Sequence, residues 1–142
     1  MQLTNFTVSS EGYLASQDRH FDLHNCYDFK QMLYNPSQLQ VELHWQRNTH
    51  CGTLDATAKY LIIQCISIND LEVHPGHPDL PPSEKLTLRD FGFIESKETN
   101  LDFCFHDINI AKQYPSDLIF LFQDKSVIRL KAKTVSLLFT SA

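Results

Sequence analysis

The chain has 142 residues, of which 42% are hydrophobic and 20% are charged, and its formal net charge is −5. A chain of this length buries about 68% of its unfolded surface, so residues 1–142 are expected to form one domain without a structural metal or disulfide. The acidic balance disfavours a nucleic-acid partner, because phosphate neutralisation needs a basic face, and it suits a basic protein partner. No stretch approaches the roughly 20 apolar residues of a membrane helix, so no membrane partner is expected.

The compartment is predicted from the start of the chain and from its cysteines. Met1–Ser10 lacks the basic start and apolar run of a signal peptide, which predicts a cytoplasmic location. The cysteines Cys26, Cys51, Cys65 and Cys104 lie far apart in the sequence. In a cytosolic chain they are expected to be reduced and to pack in the core.

The first third of the chain contains an irregular arm and then a clear β-hairpin. Met1–Thr7 alternates weakly, as an edge strand would, and the polar stretch Ser9–Asn25 has no regular period apart from a short strand near Arg19–Leu23. The first hairpin arm is predicted to place one set of residues on a common side: Tyr27, Phe29, Gln31 and Leu33. Asn35–Gln38 supplies the turn.

The second arm is the cleanest half-buried strand in the sequence, because polar and apolar residues alternate strictly. One predicted face is apolar, with Leu39, Val41, Leu43 and Trp45. The other predicted face is polar, with Gln40, Glu42, His44 and Gln46.

The middle of the chain is predicted to contain a central strand between two loops. Asn48–Ala58, with Gly52, is expected to be a loop, and Lys59–Ser67 is apolar on both faces, as in a strand that is covered on both sides. His74–Ser83 contains four of the six prolines and must be a loop, because prolines interrupt a central strand.

Alternation resumes in the last third. Leu86–Ile94 and Leu101–His106 are predicted strands, Asp107–Ser116 has room for one helical turn, and Asp117–Phe139 reads as a closing antiparallel ladder. The predicted fold class is therefore mainly β: an antiparallel sandwich or open barrel of about seven to nine strands, with at most one or two short helices.

A group of metal-ligating residue types lies before the hairpin. If the segment is extended, His20, His24 and Cys26 point to one face, and His44 is a further candidate ligand. Zinc requires three or four such ligands. No second pair of ligands at metal spacing accompanies these residues, so ordinary polar-face or loop histidines are the simpler interpretation. A metal-binding or small-ligand-binding β-barrel is thus the alternative function.

No pattern in the sequence is typical of an enzyme. There is no nucleophile elbow and no glycine-rich phosphate loop, so neither catalysis nor a cofactor is expected. Cys104 and His106 share one face of a predicted strand, and a small half-exposed thiol is the simpler interpretation of Cys104. Arg129, Lys131 and Lys133 form a basic stripe that is predicted to lie on a solvated edge strand.

Two segments resemble small β-rich bacterial families. Leu118–Ala132 reads as an apolar strand, an Asp-Lys turn and a second strand that ends in Lys-Ala. This segment and Leu39–Trp45 together resemble immunity proteins of polymorphic-toxin systems. The resemblance implies a cytoplasmic, non-enzymatic protein that binds a partner protein, and it assigns no site residue.

The predicted function is a non-catalytic protein-binding or interaction domain. One candidate contact surface is the polar strand face of Gln40, Glu42, His44 and Gln46, and the other is the proline loop with His74 and His77, because recognition residues often lie on loops. The sequence leaves the oligomeric state open, and self-association through an exposed sheet edge is a third possibility.

Overall fold

The fold consists mainly of antiparallel strands, as the alternation predicted, in a computed structural model that describes residues 1–51 and 58–141. Residues 52–57 of the predicted loop Asn48–Ala58 lie outside these ranges, and Ala58 already belongs to a strand. Within them ten strands follow one another: β1 (Gln2–Leu3), β2 (Thr7–Val8), β3 (Leu14–Ser16), β4 (Arg19–Phe21), β5 (Tyr27–Asn35), β6 (Gln40–Arg47), β7 (Ala58–His74), β8 (Leu88–Glu95), β9 (Ser116–Phe122) and β10 (Val127–Ser141). The helices there are short: α1 (Leu23–Cys26), α2 (Ile108–Ala111) and a 3-10 turn (Pro82–Lys85). None of these helices has the length and apolarity that a membrane crossing requires.

Seven strands form one strongly curved sheet, a half-barrel, in the order β5-β6-β7-β10-β9-β8. The seventh, β1, pairs with β10 in parallel. The strands β7 and β10, of 17 and 15 residues, are the longest and pair with each other from end to end. A smaller sheet of β2, β3 and β4 contributes apolar side chains to the same core.

The core lies on the concave side of the large sheet. Trp45 is its centre, with its ring centroid 5.0 Å from that of Phe29, 6.2 Å from Phe120 and 6.1 Å from Phe122. Around this aromatic group seven inward residues of β6, β7 and β10 are at most 1% exposed: Val41, Leu43, Leu61, Ile63, Cys65, Val135 and Leu137. Each such side chain contributes about 1.5–3 kcal/mol through burial.

A β-bulge corrects the predicted pattern of the first hairpin arm. The pairing register between β5 and β6 shifts between Phe29 and Gln31, so Lys30 is an extra residue. Beyond the bulge Met32 packs against the core and Leu33 faces outward, 47% exposed. The prediction that Tyr27, Phe29, Gln31 and Leu33 share one side of the arm is therefore wrong beyond Phe29. Leu39 is also exposed rather than buried, because it lies in the turn, with φ of 49°, before β6 begins.

The predicted basic stripe on an edge strand is also wrong. β10 is a central strand, and Arg129 is only 7% exposed. Its Nε donates to Asp117 Oδ2 at 2.7 Å, and its other nitrogens donate to the backbone carbonyls of Glu98 at 2.8 Å, Ser96 at 2.9 Å and Glu95 at 3.2 Å. The buried ion pair therefore fixes the turn that follows β8.

The segment after this turn covers the convex side of the sheet. A second, smaller core lies beneath it: Ile94, Ile119, Leu121 and Val127, with Leu101 and Cys104 packed against them. The predicted strand Leu101–His106 is reduced to a single bridge between Phe93 and Phe105. One helical turn follows, as predicted, in α2.

Two of the four cysteines form a disulfide, contrary to the prediction that all are reduced. Cys26 ends α1, and Cys51 lies after β6, with Cα atoms 4.6 Å apart and a sequence separation of 25. Cys65 and Cys104 are free. The crosslink therefore ties α1 to the end of the hairpin.

Removal of the disulfide should destabilise the fold. For the Cys26→Ala/Cys51→Ala variant we expect the free energy of unfolding to fall by about 3 kcal/mol, because a crosslink over a loop of this length restricts the unfolded chain. Urea unfolding measures the change, and the reduced wild-type protein should match the variant. Equal stability of the wild-type protein with and without reductant would contradict this assignment.

The buried ion pair predicts an asymmetric mutational effect. Arg129→Met should cost about 3 kcal/mol, because it removes the closer of the two cations that pair with the buried Asp117 carboxylate and leaves only Lys131 Nζ at 3.6 Å, whereas Arg129→Met with Asp117→Leu should recover much of the loss. The matched control is Arg89→Met: the pair of Arg89 and Asp102, 2.6 Å apart with side chains 40% and 76% exposed, should contribute less than about 1 kcal/mol. Equal losses in the two single variants, measured by urea unfolding, would refute the distinction.

Candidate functional site

The convex face of β5, β6, β7 and β10 is the first candidate site. Residues directly opposite each other in an antiparallel ladder share a face, so the pairing registers define four rows across these strands. We call these sixteen residues the amide face: Asn35, Gln40, Ile66 and Thr134; Leu33, Glu42, Gln64 and Ser136; Gln31, His44, Ile62 and Leu138; Asp28, Gln46, Tyr60 and Thr140. It includes the four residues predicted on β6.

Glu42 lies in the middle of the amide face and is held in place by its neighbours. Its Oε1 accepts hydrogen bonds from Gln40 Nε2 at 2.9 Å and from Gln64 Nε2 at 3.3 Å, and His44 Nε2 lies 2.9 Å from its Oε2. The hydrogen bond from His44 is the main reason that the pKa of Glu42 lies below its usual range, with those from Gln64 and Gln40 adding to it. The face therefore presents a pre-positioned carboxylate.

The composition of the amide face resembles that of a protein interface. Its carboxylates are Asp28 and Glu42, and none of its sixteen residues is Lys or Arg. Two lysines border the face: Lys30 Nζ lies 3.9 Å from Asp28 Oδ2, and Lys59 Nζ lies 5.4 Å from the centre of the Tyr60 ring. Large apolar side chains stand exposed around Glu42: Leu33 at 47%, Tyr60 at 42%, Ile66 at 40% and Leu138 at 44%. Depletion of charge together with exposed aliphatic and aromatic groups distinguishes interface centres from ordinary surface.

The predicted proline loop is the second candidate. His74 Nε2 lies 3.2 Å from Glu72 Oε2, and both His74 and His77 are exposed. The loop is docked on the turn between β9 and β10, because His77 N donates to the Asp124 carbonyl at 2.7 Å. Gly76 permits this approach, since a Cβ there would lie 2.2 Å from Asp124 Oδ2. His77 is thus presented on a fixed loop, whereas His74 is the last residue of β7.

The structure does not assemble the predicted His20, His24 and Cys26 site. His20 is exposed on β4, and His24 lies in α1 with its Nδ1 against the Leu88 carbonyl. Cys26 Sγ is bonded to Cys51, so it is not a thiolate ligand. The extended segment that would have aligned the three residues is interrupted by α1. His44, the further candidate, contacts Glu42 on the amide face.

A different group of metal-ligating residues does converge. One ligand atom each from Asp90, Cys104 and His106 lies within 4.8 Å of the others. Burial, and secondarily Asp90, raises the pKa of the Cys104 thiol to about 12, which is the opposite of an activated nucleophile. The sequence pointed to Cys104 and His106 but not to Asp90. The signal for Asp90 was its place in Leu86–Ile94, where the alternation of Leu86 and Leu88 predicts an apolar residue.

Surface clefts flank α1 on both sides. One, of about 540 Å³, is lined by polar residues that include His24, Asp28, His50 and Glu84. The other, of about 170 Å³, reaches Asp90. Both clefts open to solvent and are lined mainly by polar groups, unlike the apolar enclosed sites that hold most small ligands.

Comparison of the chain with protein families, with curated proteins and with solved structures found no match. No relative therefore indicates which of these surfaces is used. The amide face and the Asp90 cluster are the two arrangements with a defined chemistry.

The lowered pKa of Glu42 predicts a pH-dependent contribution to stability. A carboxyl group with a lowered pKa in the folded state stabilises the fold above its unfolded pKa, and this contribution is lost as the pH falls through the folded value. Glu42→Gln should therefore be less stable than wild type at pH 7, by less than about 1 kcal/mol because the group is partly solvated. The two proteins should converge well below pH 4, measured by urea unfolding. A difference that does not change with pH would contradict the role of the carboxylate.

Proposed function

We propose that this chain is a non-catalytic binding domain that recognises a basic protein through its amide face, in the manner of an immunity protein. The observation that carries the proposal is the fixed Glu42 carboxylate among exposed apolar side chains, on a face where the neighbouring lysines Lys30 and Lys59 contact Asp28 and Tyr60 rather than Glu42. A partner with an Arg or Lys at the centre of an apolar patch complements this surface.

The geometry of Glu42 suits such an anchor. A carboxylate has about four lone-pair sites, and three of those of Glu42 are occupied by Gln40, His44 and Gln64. A guanidinium from the partner can add a charge-assisted hydrogen bond without any rearrangement of the carboxylate. The formal charge of −5 adds long-range attraction, which raises the association rate with a basic partner.

The free thiols support a binding role rather than a catalytic one. Burial raises the pKa of Cys65 to about 12, and the pKa of Cys104 is raised to about 12 as well. A thiol enzyme needs the thiolate near neutral pH, so neither residue has the environment of a nucleophile.

A cytoplasmic location stays a prediction. The disulfide between Cys26 and Cys51 bears on it, because such crosslinks form and persist mainly in oxidising compartments. A count of free thiols in protein taken from its own cells under acid quench distinguishes the cases. Two free thiols per chain indicate an oxidising compartment, and four indicate the cytosol.

The binding proposal is tested in two steps. A photo-crosslinking amino acid at Leu138, which is 44% exposed on the amide face, should capture one basic protein in the source cells, whereas the same group at the exposed Glu95 should not. The captured protein is then purified, and its dissociation constant is measured with each variant. Glu42→Lys should weaken binding at least about tenfold, which corresponds to 1.4 kcal/mol.

The matched control is Glu72→Lys. Glu72 also precedes a histidine by two residues and contacts it, 3.2 Å from His74, but it lies beside the proline loop. Binding that Glu72→Lys weakens and Glu42→Lys leaves unchanged would transfer the site to the proline loop and would refute the proposal for the amide face. Failure to capture a protein at Leu138 would count against both the basic protein partner and the use of the amide face.

A further inference from the structure

We propose that Asp90, Cys104 and His106 form a binding site for one Zn²⁺-like divalent cation. The site involves the β8 edge of the large sheet, while the amide face begins at β5 on the other edge. The proposal is therefore independent of the protein-binding function, and either can fail alone.

The backbone brings the three residues together. The register between β8 and β9 shifts between Leu88 and Asp90, which makes Arg89 the extra residue of a bulge next to Asp90. Phe93 and Phe105 exchange two backbone hydrogen bonds of 2.7 and 2.8 Å, and these hold the following segment beside β8. Gly92 makes the approach possible, because a Cβ there would lie 2.7 Å from the Phe105 carbonyl oxygen. The cluster is thus built by the main chain.

The imidazole of His106 lies between two oxygen acceptors. Its Nδ1 is 3.2 Å from the Ser10 carbonyl oxygen, and its Nε2 is 3.0 Å from Asp90 Oδ1. A neutral imidazole carries one proton, so one of these nitrogens faces an oxygen lone pair unless a second proton or a metal ion intervenes. Metal-bound histidines commonly donate their other N–H to a backbone carbonyl, as Nδ1 is placed to do here.

The donor set suits zinc. The carboxylate of Asp90 contacts both partners, with Cys104 Sγ donating to Oδ2 at 3.2 Å and His106 Nε2 near Oδ1 at 3.0 Å. Tetrahedral zinc with bonds of about 2.0–2.3 Å separates its ligands by roughly 3.3–3.6 Å. These two separations need to expand by a few tenths of an ångström. The ligand atoms of Cys104 and His106 lie within 4.8 Å of each other, and binding of the ion has to bring them to the same range. Sulfur, nitrogen and oxygen together select a borderline ion such as Zn²⁺ over Mg²⁺ or Ca²⁺.

An open side gives the ion access and a place for water. Asp90 is 40% exposed and lines the cleft of about 170 Å³, where the carboxylates of Glu11 and Asp22 add negative potential. Arg89 also lines this cleft, but its guanidinium contacts Asp102 at 2.6 Å. Of the three ligands only Asp90 lines this cleft, so a fourth position for water is expected on the Asp90 side, as in an open zinc site rather than a closed structural one.

The competing explanation is a proton in place of the metal. A protonated His106 paired with Asp90, and a Cys104 thiol donating to the same carboxylate, satisfies the same contacts. A proton-only network predicts no stoichiometric metal binding and no thiolate–metal bond, so the two explanations differ in what can be measured.

The test uses the full-length protein without reductant, so that the Cys26–Cys51 disulfide stays closed. Zn²⁺ affinity is measured by competition with a chromophoric chelator, and Co²⁺ is added as a spectroscopic probe. We expect one equivalent of Zn²⁺ and, with Co²⁺, the near-ultraviolet charge-transfer band of a thiolate–cobalt bond. Cys104→Ser should abolish the band and weaken Zn²⁺ binding at least tenfold, and His106→Asn should weaken it similarly.

Two control variants exclude other sites. Cys65→Ala removes the other free thiol and should keep the band. His44→Ala removes a comparable imidazole, whose Nε2 lies 2.9 Å from Glu42 Oε2. That pair includes no sulfur, so this variant should leave Zn²⁺ affinity unchanged. Circular dichroism checks that each variant is folded. If Cys104→Ser or His106→Asn does not fold, Asp90→Asn takes its place and should also weaken Zn²⁺ binding. Absence of stoichiometric binding, a band that survives Cys104→Ser, or an equal loss in His44→Ala would overturn the proposal.

Discussion

The antiparallel pairing of β7 with β10 is the interaction on which the other strands depend. Both strands are long, so different segments of their remaining edges pair with different neighbours. β6 pairs with the first half of β7, β9 pairs with the first half of β10, and β1 pairs further along β10. A register shift between Lys131 and Ala132 accompanies the pairing, and bulges of this kind bend and twist a ladder. The curved sheet, its concave core and its convex amide face all follow from this pairing.

Local period-two patterning was sufficient to predict much of this fold. β6 was predicted correctly from Val41, Leu43 and Trp45 because one side of it packs in the core and the other faces solvent. The errors arose where a single extra residue shifts the phase, as at Lys30, and where a charged side chain is buried by tertiary partners. Arg129 reads as a surface cation in any short window, because the carbonyls that satisfy it lie more than thirty residues away.

The candidate sites were predictable to different degrees. The polar face of β6 followed from alternation alone, but its extension across β5, β7 and β10 depends on pairing registers that composition does not encode. The Asp90 cluster joins residues fourteen and sixteen positions apart through a bulge and a glycine contact. The disulfide could not be deduced either, because four scattered cysteines are compatible with several pairings and with none.

The bulge at Lys30 has a further consequence, for how the large sheet ends. β5 is an edge strand of that sheet, and an unprotected edge is a template onto which a strand from another molecule can add. Here the protruding, exposed lysine interrupts the flat edge, and the neighbouring Phe29 N–H is already used by the Leu86 carbonyl at 2.9 Å. Growth of the sheet from one copy to the next is therefore obstructed at this border.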